Sequence, residues 1–155
     1  MKIFISISNY LEALPGVCEE RISEIVLKGF DILLENKGGS NELIEQFLAY
    51  KKYKKVCIYR LTWDYYDELP EWETIEVDTD DLRATTVERI CNDSDYGYFI
   101  WNNKDNSILY TVYKMISINK PVKVYAIHAQ KNYVIKNNED LIKMIIDSDG
   151  FYNKW

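Results

Sequence analysis

DILLENKGGSNELIEQFLAYKKYKKVCIY, Asp31 to Tyr59, decides the fold, because it passes from an apolar run through a glycine pair into a helical pattern and back to an apolar run. Ile32, Leu33 and Leu34 are continuous and apolar, as a strand buried on both faces requires. Gly38-Gly39 admits backbone conformations that a side chain forbids, and Ser40 or Asn41 follows as a candidate helix N-cap. Leu43, Ile44, Phe47 and Leu48 then recur at helical spacing over 41–51, and Val56 to Tyr59 reads as a further strand. The first amides of such a helix and its dipole favour an anion, so a phosphate or carboxylate is the natural occupant of the loop. A Gly-Gly turn before a helix is by itself ordinary punctuation, and its meaning depends on the surrounding chain.

Upstream, Lys2 to Ile7 is a β-branched apolar strand, Asn9 and Pro15 mark a loop, and Val17 to Lys28 has helical spacing. Val17, Ile22, Ile25, Val26 and Phe30 fall on one face, and Gly29 is placed to stop the helix. The order strand, helix, strand makes a βαβ unit. Lys51, Lys52, Lys54 and Lys55 lie between the second helix and the third strand, where they compensate the helix C-terminus and solvate a turn.

Residues 61–84 are acidic and aromatic, with a short candidate strand at Thr74 to Val77. Nine of the eighteen positions from Asp64 to Asp81 are Asp or Glu, and Trp63, Tyr65, Tyr66 and Trp72 lie among them. A connection of this length suggests a lid over a crevice or an interface between subunits. Thr85 to Cys91 predicts a helix, Tyr96 to Trp101 a strand, Ser107 to Ile118 a helix and Pro121 to Ala126 a strand. An edge hairpin through Tyr133-Val134-Ile135 and a helix over Asn138 to Ile146 complete the reading. The alternation predicts an α/β, Rossmann-like fold: a mostly parallel sheet of about five strands with helices on both faces. Residues 1–155 are expected to form one domain carrying 61–84 as a long insertion.

With 155 residues, 47% hydrophobic, the chain has the length for one continuous core. A net charge of −6 and a pI near 4.9 oppose nucleic-acid binding, which draws its affinity from Lys and Arg displacing counterions. Cys18, Cys57 and Cys91 are odd in number and widely spaced, as apolar fillers in a reducing compartment are. No apolar run reaches the length of a membrane span and Met1-Lys2 leads straight into a strand, so no membrane partner and a cytoplasmic location are expected.

In such a sheet ligands bind outside the carboxyl ends of the strands, where three polar loops should converge. They bring Ser6, Ser8 and Asn9 from the first, Asn36, Lys37, Gly38, Gly39, Ser40 and Asn41 from the second, and Trp101, Asn102 and Lys104 from the third. Asn103, Asp105 and Asn106 accompany the third loop. His128 is the only histidine, expected on an exposed turn, which disfavours a catalytic triad or a histidine metal site. Asp78-Thr79-Asp80-Asp81 lacks the spacing and glycine of a calcium loop. No metal and no resident cofactor are expected.

KIFISIS at 2–8, the 31–59 stretch, WET at 72–74, DYGYFIWNNK at 95–104 and NKPVKVY at 119–125 together resemble the small Rossmann-like proteins of the SLOG superfamily, and more distantly the nucleoside deoxyribosyltransferases. The resemblance implies a nucleotide-type ligand. Its departures are also informative. The family's Gly-Ser-Arg turn is Ile7-Ser8-Asn9 here. Its Gly-Asp-Ala-Asn-Gly-Ala-Asp loop is Glu35-Asn36-Lys37-Gly38-Gly39-Ser40-Asn41, and its Trp-Asp-Gly-Lys-Ser is Trp101-Asn102-Asn103-Lys104-Asp105.

Amides in place of carboxylates keep hydrogen-bonding capacity but lose acid-base and nucleophilic capacity. The expectation is therefore noncatalytic binding of a nucleotide or an ADP-ribose-type ligand by a homo-oligomer, with sequestration of an immune nucleotide signal by a phage or mobile-element protein as its setting. Two alternatives stay open. One is an enzyme acting on N-glycosidic bonds, with Glu35, Glu42 or Glu45 as the carboxylate, although Glu42 and Glu45 suit a helix-dipole role better. The other is a protein-interaction module using 61–84.

Overall fold

The computed structural model describes residues 1–61, 72–77 and 82–149. Seven strands form one sheet in the order β4-β3-β2-β1-β5-β6-β7. They are β1 (Lys2–Ile7), β2 (Asp31–Glu35), β3 (Val56–Leu61), β4 (Glu73–Val77), β5 (Tyr96–Trp101), β6 (Val122–Ala126) and β7 (Lys131–Ile135). Every neighbouring pair is parallel except β6–β7. The helices are α1 (Gly16–Leu27), α2 (Asn41–Tyr50), α3 (Leu82–Asp93), α4 (Asn106–Ser117) and α5 (Asn138–Asp149).

The expected count of about five strands is too low by two, both at the edges. β4 is the short acidic Glu73–Val77, in which Glu73 and Glu76 are exposed and Val77 alone is buried. β7 pairs antiparallel with β6, and its exposed Lys131 and Asn132 make it a polar edge that discourages pairing with another chain. The expected insertion is thus a sheet strand over 73–77, while 62–71 and 78–81, including Trp63, Tyr65 and Tyr66, lie outside the described residues.

Trp72 does not cover the crevice. It is buried against the α1–α2 face, and its indole N–H donates to Tyr53 O at 2.8 Å, in the turn that enters β3. That places it at the amino ends of the strands, opposite the expected ligand side.

Alternating strand residues feed two cores. Phe4, Leu33, Tyr59, Phe99 and Trp101 pack under α3, α4 and α5, while Ile5, Ile32, Leu34, Ile58 and Ile100 pack under α1 and α2. In α1 the buried residues are Cys18, Ile22 and Ile25; Val17, expected on that face, is exposed. Gly29, at φ 72°, ends the helix as expected, with Phe30 N–H reaching back to Ile25 O. Burial pushes the Cys18 thiol up to about 11 and the Cys57 and Cys91 thiols to about 12, which leaves all three as inert fillers.

Glu45, on α2, departs from the plain helix-dipole reading. Burial, with the Glu42 charge adding to it, pushes its carboxyl up to about 7. The folded state therefore holds this proton more tightly than the unfolded chain does. Its contribution is intact below the ordinary carboxylate range and is lost as pH rises through about 7. Glu45→Gln should then stabilise the protein at pH 8 and change little at pH 4.5. Solvent screening of the exposed part of the side chain holds the gain to about 1 kcal/mol. Urea midpoints at the two pH values check this, and an equal effect at both would refute it.

Candidate functional site

The chain leaves β1 towards β2 through α1 and leaves β5 towards β6 through α4, and these helices cover opposite faces. The carboxyl ends of β1 and β5 are therefore the switch point of the sheet, the position at which open α/β sheets bind their ligands.

Hydrogen bonds close the first and third loops on each other. Ser8 N–H donates to Ile100 O at 2.9 Å, and Asn102 N–H donates to Ser8 Oγ at 3.1 Å. Asn102 Nδ2 donates to Asn9 O at 3.1 Å, and Asn9 N–H donates to Asp105 Oδ2 at 3.1 Å. Asn102 Oδ1 accepts from Lys104 N–H and Asp105 N–H, which folds the chain tightly around Asn103 at φ 67°.

The second loop is tied to the first by two side chains. Lys37 Nζ donates to Ser6 Oγ at 3.1 Å and to Ile7 O at 3.0 Å, which carries its charge from the β2 loop to the end of β1. Ser40 Oγ accepts from Leu11 N–H at 2.7 Å and donates to Leu11 O at 3.4 Å. Neither Ser40 nor Asn41 caps α2 through its side chain. The Ser40 hydroxyl is used across loops, and Asn41 Nδ2 donates back to Glu35 O at 2.8 Å.

Gly38 and Gly39 sit at φ 67° and 59°, followed by Ser40 in helical backbone. The amides of Gly38, Gly39 and Ser40 donate to no protein group among the described residues. Successive N–H groups in such a turn face one side and form a concavity suited to an anion. The following amides are used within the turn, Asn41 N–H to Gly38 O and Glu42 N–H to Gly39 O.

Thus bonds of Ser6, Ser8, Asn9, Lys37, Ser40 and Asn102 tie the first loop to the second and third, Gly38 and Gly39 shape the turn, and Asn36 N–H ties the second loop to β3 through Tyr59 O. Lys104 is exposed at the rim. Trp101 is 2% exposed among Ile108 and Ala126, so its ring belongs to the core, yet its Nε1 has no partner among the described residues. Asn41 Oδ1 is likewise buried without one.

Asp105 carries more of the site than its residue type suggested. Asp105 Oδ1 accepts from Ser107 N–H and Oγ, so both its oxygens are occupied. Burial alone would raise its carboxyl, but the bonds from Ser107 and Asn9 and the charge of Lys37 outweigh it and hold the carboxyl below the ordinary range. It is a positioning group rather than an acid or base. Its signal in the sequence was Asp at the start of a helix with Ser two residues on, an N-cap pattern. Glu35 ends β2 on the face of Leu33 and Tyr59 and is 6% exposed. Among the described residues no group of three or more His, Cys, Asp or Glu is placed to hold a metal ion, and no helix is long and apolar enough to cross a membrane.

No family model matches this chain, and neither the curated proteins nor the solved structures supply a match. The site is therefore read from its own geometry.

Proposed function

We propose that the crevice binds the phosphate of a nucleotide or ADP-ribose-type ligand and holds it without turnover. The observation that carries this reading is the row of three amides, Gly38 to Ser40, without an acceptor among the described residues, in the same loop as Lys37, whose ammonium hydrogen bonds hold at the end of β1. Oriented amides and a fixed cation together suit a phosphate better than either alone.

Binding without reaction fits a site whose loop carboxylate, Asp105, is saturated. A binder of this kind lowers the free concentration of its ligand, so sequestration is the physiological form of the proposal. Calorimetric titration with ADP-ribose and cyclic di-AMP, followed by denaturation and recovery of the ligand, tests it. Intact ligand recovered after tight binding is the expected result; no binding sinks the reading.

One observation favours a second reading. Glu35 is a buried carboxylate at the carboxyl end of β2, the side of the sheet on which ligands bind, and a carboxylate is the nucleophile that cleavage of an N-glycosidic bond would use. Release of free base on incubation with nucleoside monophosphates, abolished by Glu35→Gln, would replace binding by turnover.

A further inference from the structure

Tyr10 joins high exposure to a backbone conformation that costs energy. Its side chain is 96% exposed and its backbone sits at φ 67°. The left-handed region disfavours any residue with a Cβ, and an exposed ring gains no burial to offset it. The conformation is imposed from both sides. On one, Asn9 N–H is held by Asp105 Oδ2; on the other, Leu11 N–H and Leu11 O are both held by the Ser40 hydroxyl.

Those anchors come from two different loops of the crevice, so the arms of the site clamp the chain on either side of this one ring. They also fix where the backbone of Tyr10 stands. A Cβ on Gly39 would lie 3.8 Å from Asn9 Oδ1, and Leu11 is bonded to Ser40. The backbone of Tyr10 therefore runs alongside the turn whose Gly38 to Ser40 amides have no acceptor among the described residues.

We infer that Tyr10 is the stacking platform for the aromatic base of a ligand whose phosphate lies on the Gly38–Ser40 amides. The inference rests on the phosphate-binding reading above and adds the second half of the ligand. Tyrosine offers a broad π-face with few torsions to freeze, and a base stacks on it whatever its hydrogen-bonding edge. Selectivity for base-bearing ligands over bare sugar phosphates follows, with little choice among bases.

The test compares Tyr10→Gly, Tyr10→Phe and Tyr10→Trp in calorimetric titrations with ADP-ribose, cyclic di-AMP and ribose 5-phosphate, alongside thermal melts. Glycine is at ease at this φ, so Tyr10→Gly should melt no lower than the parent. It should weaken the base-bearing ligand by about tenfold or more while leaving ribose 5-phosphate within about twofold. Tyr10→Phe and Tyr10→Trp should retain the affinity. Unchanged affinity in Tyr10→Gly would overturn the stacking role and leave the phosphate site standing. Equal losses for ribose 5-phosphate and the base-bearing ligand would assign the ring to loop shape instead. Failure of the parent protein to bind any of the three would overturn both readings.

Discussion

Lys37→Ala should raise the Kd for a phosphorylated ligand by roughly 10- to 100-fold, which corresponds to losing one charge-assisted hydrogen bond of about 1.5–3 kcal/mol. The ammonium is the cation that the structure carries into the crevice, and Ser6 Oγ and Ile7 O hold it there at 3.1 and 3.0 Å. Fixing the charge in advance removes the entropy that a free lysine would lose on binding. Lys37→Arg should not restore affinity, because a planar guanidinium fork does not match two acceptors that a compact ammonium bonds from one nitrogen. The substitution also has a folding cost. Ser6 is buried and loses a partner, so stability should fall by about 1–2 kcal/mol. Titration in parallel with urea unfolding separates the two effects. The salt dependence gives a further readout, since added salt should weaken the parent more than the variant. An unchanged Kd in folded Lys37→Ala would remove the lysine from the site.

Most of the architecture was legible because local pattern and tertiary burial agree. The runs 2–7, 31–35, 56–61 and 96–101 are buried on both faces, and such strands announce themselves as continuous apolar segments. The two edge strands were harder to count because an edge tolerates the charges that a central strand excludes. Glu73, Glu76 and Lys131 look like loop residues for that reason.

The meeting of the three loops was legible for a different reason: in a parallel sheet, chain order alone dictates which loops meet. What residue type could not show was how they meet. Ser40 followed by Asn41 looks like a helix cap, but its hydroxyl has a stronger claim from the Leu11 backbone, two bonds from one group. Trp101 looked like a surface for a ligand, yet its place in a central strand buries its ring. Tyr10 gave no signal, because no pattern predicts a left-handed tyrosine; only bonds from residues far along the chain impose one.

Gly97→Ala should destabilise the protein by about 1–3 kcal/mol, against the direction that backbone propensity predicts. Glycine inside a strand is entropically costly, so alanine would ordinarily gain roughly 0.5–1 kcal/mol. Here a Cβ would stand 3.0 Å from Phe99 Cζ, 3.1 Å from Phe99 Cε2 and 3.2 Å from Val122 Cγ2. The Phe99 ring has little room to yield. It is fully buried and meets Phe4 edge to face, with ring centres 5.2 Å apart and planes at 85°. Relief must come from a shift of β5 itself, and β5 ends in Trp101, with Asn102, which ties the first loop to the third, next in the chain. Repulsion in a close-packed core then exceeds the propensity gain. The expected signature is a melting temperature lower by several degrees and weaker ligand binding from a residue that touches no ligand. Phe99→Leu supplies the control. Leucine leaves room for the new methyl, so the double variant should be more stable than the sum of the single changes implies. A more stable Gly97→Ala would show that the ring moves freely and that the core is looser than these contacts require.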